Sequence, residues 1–163
     1  MVKKSGVSEN ILGVLRILMG WTFLWSFLDK LFGLGFTTTL DKSWLMGVSP
    51  TQGFLQFAVK GPFTGIYQAL AESVIVDWLF MLGLLLVGLA LILGIGVRIA
   101  CYSGALLLFL MWTAVLPPKH NPFLDEHIIY GLLLLALANF KAGMHLGLGK
   151  WWSKLIKRNR WLE

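Results

Sequence analysis

Residues 79–97 and 99–116 contain no Asp, Glu, Lys or Arg, and only Arg98 separates the two stretches. At about 1.5 Å per residue, a helix through either is close to the ~30 Å of a bilayer's hydrocarbon core. A water-soluble bundle would have to bury both on every side, because neither offers solvent a polar face. Two further apolar segments, 11–35 and 123–140, approach the same length. The sequence therefore predicts an all-α membrane protein, a four-transmembrane-helix bundle with spans at about 11–35, 74–95, 99–116 and 123–140. It reads as a single membrane domain over residues 1–163, with outer-loop helices between spans 1 and 2 and a C-terminal amphipathic interfacial helix at 148–162. A chain that is 57% hydrophobic and 13% charged fits lipid as its main solvent.

The cations set the expected orientation. Four spans put both termini on one side, together with the short 94–98 turn; that side carries Lys3, Lys4, Arg98, Lys141, Lys150, Lys154, Lys157, Arg158 and Arg160. The opposite loops carry Lys42, Lys60 and Lys119. The positive-inside rule then makes both termini cytoplasmic in a multi-pass protein of the plasma membrane. The net charge of +6 belongs to a membrane-facing rim, which gives no support to a nucleic-acid partner. Arg16, Asp29 and Lys30 lie in the first span, with no basic leader, short apolar core and small-residue cleavage site in order, so this span reads as retained.

Cys101 is the single cysteine, so there is no disulfide within the chain and no Cys cluster for zinc or iron–sulfur; it reads as a small packing residue. No flavin or dinucleotide fingerprint appears, and no metal ligands are assigned. The 36–73 loop is too apolar for a disordered linker. Apolar residues recur at helical intervals on both sides of Gly61-Pro62, predicting two short helices that cap the outer mouth of the bundle. In the tail, Trp151, Trp152, Leu155, Ile156 and Leu162 are interleaved with basic residues, the pattern of a helix lying on the inner leaflet against membrane lipids.

An ionisable residue within a span costs roughly 2.5–3.5 kcal/mol on insertion scales, so each one asks for a reason. In the first helix, Arg16, Gly20, Phe23, Phe27 and Lys30 share one stripe, while Thr22, Ser26 and Asp29, with Trp25 beside them, form a second. Arg16 either snorkels to the inner surface or acts as a buried counter-ion; Asp29 and Lys30 are boundary charges or site residues. The uncharged part of the fourth span, 128–140, is 13 residues, or about 20 Å, short for a crossing. That draws Asp125, Glu126 and His127 to the outer interface, where Asp125 can also cap the helix. Tyr130 follows one turn later. Trp25, Trp44, Trp78 and Trp112 are expected to wall an outer pocket, although Trp at that depth is commonly belt decoration.

The order of features, with Arg16 early in the first helix, FLDKL at 27–31, LGIGVR at 93–98, DEHIIYGLLLLALA at 125–138 and AGMHLGLGKW at 142–151, resembles the DoxX/DoxD superfamily. TQGFL and KGPF in the long loop look most like the DoxD branch, the membrane subunit of thiosulfate:quinone oxidoreductase. The resemblance implies an enzyme subunit that passes electrons from thiosulfate, or a similar sulfur compound, to membrane quinone. Its partners would be a DoxA-like subunit or further copies of this chain. Asp29, Asp125, Glu126 and His127 would be catalytic, moving the protons the quinone takes up. Arg16, Lys30, Trp25, Trp78, Trp112 and Tyr130 would bind substrate. The competing readings are a non-enzymatic scaffold subunit of a redox complex and a small transporter or lipid-binding protein.

Overall fold

The computed structural model describes residues 6–156. Their regular elements are all helical, with no strand among the described residues. Six α-helices follow in order: α1 (Gly6–Phe32), α2 (Thr64–Ala69), α3 (Val74–Leu93), α4 (Val97–Ala114), α5 (Glu126–Asn139) and α6 (Gly149–Leu155). Short 3-10 turns at Leu40–Lys42, Trp44–Met46 and Ala142–Met144 and a π-turn at Phe54–Ala58 fill the connections. The expected interfacial helix at 148–162 begins as α6; its residues 157–162 lie outside the described part.

α1, α3 and α4 are long and apolar enough to cross a membrane. α5, at 14 residues, is shorter than these. About a third of each long helix's most apolar window is buried, and the outward faces are greasy as well: Leu79, Leu82 and Leu86 on α3 and Ile99, Leu106 and Leu110 on α4 are exposed. So large a continuous apolar exterior suits lipid and not water. The chain is therefore read as a membrane protein.

Each buried stripe follows helical spacing. On α3 it runs Asp77, Met81, Leu84, Val87, Gly88 and Leu91; on α4 it runs Val97, Ala100, Cys101, Gly104 and Leu108. α1 packs on α3, α3 on α4, and α4 on α5. Glycines let the first pair approach. A Cβ on Gly20 would stand 2.9 Å from the backbone nitrogen of Ile92, and one on Gly88 would stand 2.8 Å from that of Leu24. Cys101 is fully buried in this core.

The long loop folds back onto the bundle. The Phe54–Ala58 turn and α2 flank Gly61-Pro62, and Leu55, Val59, Ala71 and Ala114 bury one another beside Tyr67 and Val76. Lys60 N donates to Ala114 O at 2.9 Å, and Tyr67 Oη donates to Leu110 O at 2.9 Å, tying the segment to the end of α4. Gly61 has φ +76°, and a Cβ there would collide with Leu116 O, so no larger residue fits.

Candidate functional site

One cavity of about 860 Å³ lies between α1, α3, α4, α5 and the 37–57 segment. Its apolar wall comes from Met19 and Phe23 on α1, Phe80 and Leu84 on α3, and Leu107, Leu108 and Met111 on α4. Its polar wall is Lys30, Lys42, Glu126, His127 and Tyr130, with Gln52 and Gln56 from the loop. Lys30 reaches the cavity beside Thr22 and Ser26, spaced at i, i+4 and i+8, although the sequence pattern grouped Lys30 with Arg16 and set Asp29 beside Thr22 and Ser26. Thr22 Oγ1 and Ser26 Oγ donate to Leu18 O at 3.1 Å and to Thr22 O at 2.9 Å, so the helix's own backbone accepts both hydroxyl protons.

α5 delivers its acidic start through a cap. Asp125, in extended conformation, accepts from His127 N at 3.1 Å, while its other oxygen lies 2.8 Å from His127 Nδ1. The ring and the carboxylate are 17% and 11% exposed, dry enough for the contact to hold the imidazole's orientation. The contact engages Nδ1 and leaves Nε2 outside it. Capping and histidine positioning are thus two duties of one residue, and the cavity lining holds Glu126 and His127 without Asp125.

Asp29 does not join the cavity. It is 1% exposed and accepts from Phe36 N at 3.2 Å, Thr37 N at 2.9 Å and Thr37 Oγ1 at 2.6 Å, which pins the chain as it leaves α1. Asp77 does the same for the next loop, accepting from Ser49 Oγ at 2.7 Å and Thr51 Oγ1 at 2.5 Å.

Arg16 is placed apart as well, 14 positions from Lys30, or about 21 Å along α1. It neither snorkels nor pairs with a carboxylate among the described residues. It is fully buried and donates to four carbonyls: Nη1 to Leu91 O and to Ile92 O (3.1 Å), Nη2 to His145 O (3.1 Å) and Leu146 O (2.9 Å). Leu91 and Ile92 are in the last turn of α3, where carbonyls lack intrahelical donors. The guanidinium is a C-terminal cap for α3 that also ties down the 145–146 loop. Gly147 makes room for it, since a Cβ there would lie 2.7 Å from Nη2.

The tryptophans are not the cavity wall. Trp25 packs between Trp21 and the edge of Phe36, at ring distances of 5.6 and 5.0 Å; Trp44 meets Trp78 at 4.7 Å, and Trp78 is 52% exposed. Trp112 contacts Phe109 and donates from Nε1 to Phe123 O at 3.0 Å. Phenylalanines take the wall instead, Phe23, Phe54, Phe57 and Phe80. Lys42, Gln52 and Gln56 are lining residues the sequence reading missed. Their one signal was polarity inside an otherwise apolar loop, and the fold-back that turns it inward is a tertiary fact.

No family model, curated protein or solved structure matches this chain.

Proposed function

We propose that this chain is an integral-membrane, DoxD-like subunit that takes part in transferring electrons from thiosulfate, or a similar sulfur compound, to membrane quinone. One observation carries the reading: a single cavity combines an apolar wall with two lysines, a carboxylate, a histidine and a tyrosine. Its volume falls within the roughly 300–1,000 Å³ of small-molecule sites. The apolar side suits a flat, lipid-soluble ring. Lys30 and Lys42 suit a dianion, which they attract as point charges.

Oxidising two thiosulfates to tetrathionate releases two electrons and no protons, so the quinone that accepts the electrons takes up two protons. His127, oriented by Asp125, and Glu126 are the residues assigned to supply them. Tyr130 provides a hydroxyl on the same wall. In this reading α5 is the fourth span, extended to bilayer thickness by its polar flanks, and the cavity faces outward. Both termini are cytoplasmic, the membrane is the plasma membrane, and the partner is a DoxA-like subunit or another copy of this chain.

A scaffold reading has its own support: Arg16 and Asp29, two ionisable groups of the first helix, are both committed to holding backbone in place. Thiosulfate-dependent quinone reduction in membranes with and without the protein separates the two. The redox reading expects activity that needs this chain and falls at least tenfold in His127→Ala, while Lys119→Ala changes little. A chain that raises the level of a partner enzyme, with His127→Ala as effective as wild type, leaves the scaffold.

A further inference from the structure

The cavity that holds His127 runs far along the first helix. Its α1 lining extends from Lys30, near the helix end, back to Met19, about 16 Å deeper at ~1.5 Å per residue. Its charged groups come from the ends of α1 and α5 and from the loop, while Met19, Phe23, Leu84 and Leu108, from helix interiors, are apolar. A single ring is much shorter than this, so a ligand that fills the cavity carries a chain behind a polar head. The cavity also has an edge. α1 packs along α3 and α5 along α4, but α1 and α5 touch each other little. They come together around Gly104, where a Cβ would lie 3.0 Å from Leu134 Cδ1 and 3.2 Å from the Phe23 ring. Away from that point exposure rises across both helix faces: Phe23 is buried, Ser26 half-buried and Thr22 exposed, and on α5 Leu134 is buried, His127 half-buried and Tyr130 exposed. Thr22, Ser26, His127 and Tyr130 all line the cavity.

We propose that the gap between α1 and α5 is a lateral mouth of this cavity, and that the hydrocarbon tail of a quinone lies in it across Thr22, Ser26 and Tyr130 while the ring reaches His127. The assignment rests on the quinone reading above and adds where the tail goes and how the ligand enters. Depth supports it. Thr22 stands about 15 Å before the end of α1, a membrane-length helix, which is half of a ~30 Å hydrocarbon core. A gap at that level meets acyl chains and not water. The surface beside it agrees: Leu18 and Trp21 on α1 and Ile129 and Leu132 on α5 are exposed. The hydroxyls on the α1 rim already donate to Leu18 O and Thr22 O, so a chain lying across them takes no donor from its partner. A lipid-soluble ligand thus reaches His127 from the bilayer without crossing the 37–57 wall.

The test uses purified full-length protein in neutral detergent and two probes with the same benzoquinone ring, one with a decyl tail and one with none. Equilibrium binding is measured for each probe and compared between proteins, because partition into detergent raises the apparent affinity of the tailed probe for every variant alike. Thr22→Trp puts bulk on the rim and should weaken the tailed quinone at least fivefold while leaving the tail-free ring within twofold of wild type. Leu106→Trp, at an exposed position of α4 outside the cavity lining, should change neither. Should Thr22→Trp not fold, Thr22→Cys labelled with benzylmaleimide after folding adds the bulk to a finished bundle, and Cys101, fully buried, stays out of that reaction. The tailed quinone should also slow this labelling, and the tail-free ring should not. Equal binding of the tailed quinone by wild type and by the bulked variants removes the lateral mouth and leaves the quinone reading standing. Wild type that binds neither probe overturns both.

Discussion

Replacing Arg16 by Met keeps most of the side chain's bulk and removes every hydrogen-bond donor it brings to four carbonyls. Leu91 O and Ile92 O suffer most, because Leu91 is fully buried and both carbonyls belong to the last turn of α3. A buried polar group left without its partner costs about 1–3 kcal/mol, so this pair accounts for about 2–6 kcal/mol. Losing the cation from the helix's negative end adds up to ~2 kcal/mol. Relief of the guanidinium's own desolvation works the other way. The expected net loss is about 3–5 kcal/mol, or a melting temperature lower by about 6–20 °C at 2–4 °C per kcal/mol. Arg16→Lys, with three donors in place of five and a shorter reach, should fall between. Thermal unfolding in detergent, followed by loss of monodispersity, reads both variants. A Met variant within about 1 kcal/mol of wild type would refute the capping role.

The helix crossing gives a sharper comparison: Gly20→Ala and Gly88→Ala should each cost about 1–3 kcal/mol because their Cβ would press on backbone, whereas Gly83→Ala, with nothing within 4 Å, should be neutral or stabilising in the same unfolding assay. Asp29→Asn should weaken the 36–37 turn and speed proteolysis there, with turnover per folded molecule kept, since three donors on the carboxylate belong to that turn; a folded variant with lost turnover would return Asp29 to the site. With Cys101 replaced by Ala, a cysteine at exposed Lys60 should label from outside and one at exposed Lys150 only after permeabilisation; the reverse pattern would invert the orientation.

The uncharged runs at 79–97 and 99–116 are enough by themselves to mark two apolar helices of membrane-spanning length, because neither run carries a charged face to offer water. The Gly61-Pro62 break and the Asp125 cap were legible for the same reason: each acts on its neighbours along the chain. Sequence also singled out Lys30, Glu126, His127 and Tyr130, and the fold sets all four around one cavity. What no local pattern carries is the partner an ionisable side chain meets. Arg16 and Asp29 look alike in sequence to residues of a polar site, yet long-range approach gives Arg16 the free carbonyls of α3, and the turn after α1 gives Asp29 its donors. The cavity's loop wall at Lys42, Gln52 and Gln56 likewise exists only because the 37–57 segment folds inward. Periodicity fixes which side of a helix is apolar; packing between distant segments decides which polar groups are already satisfied and which remain to meet a ligand.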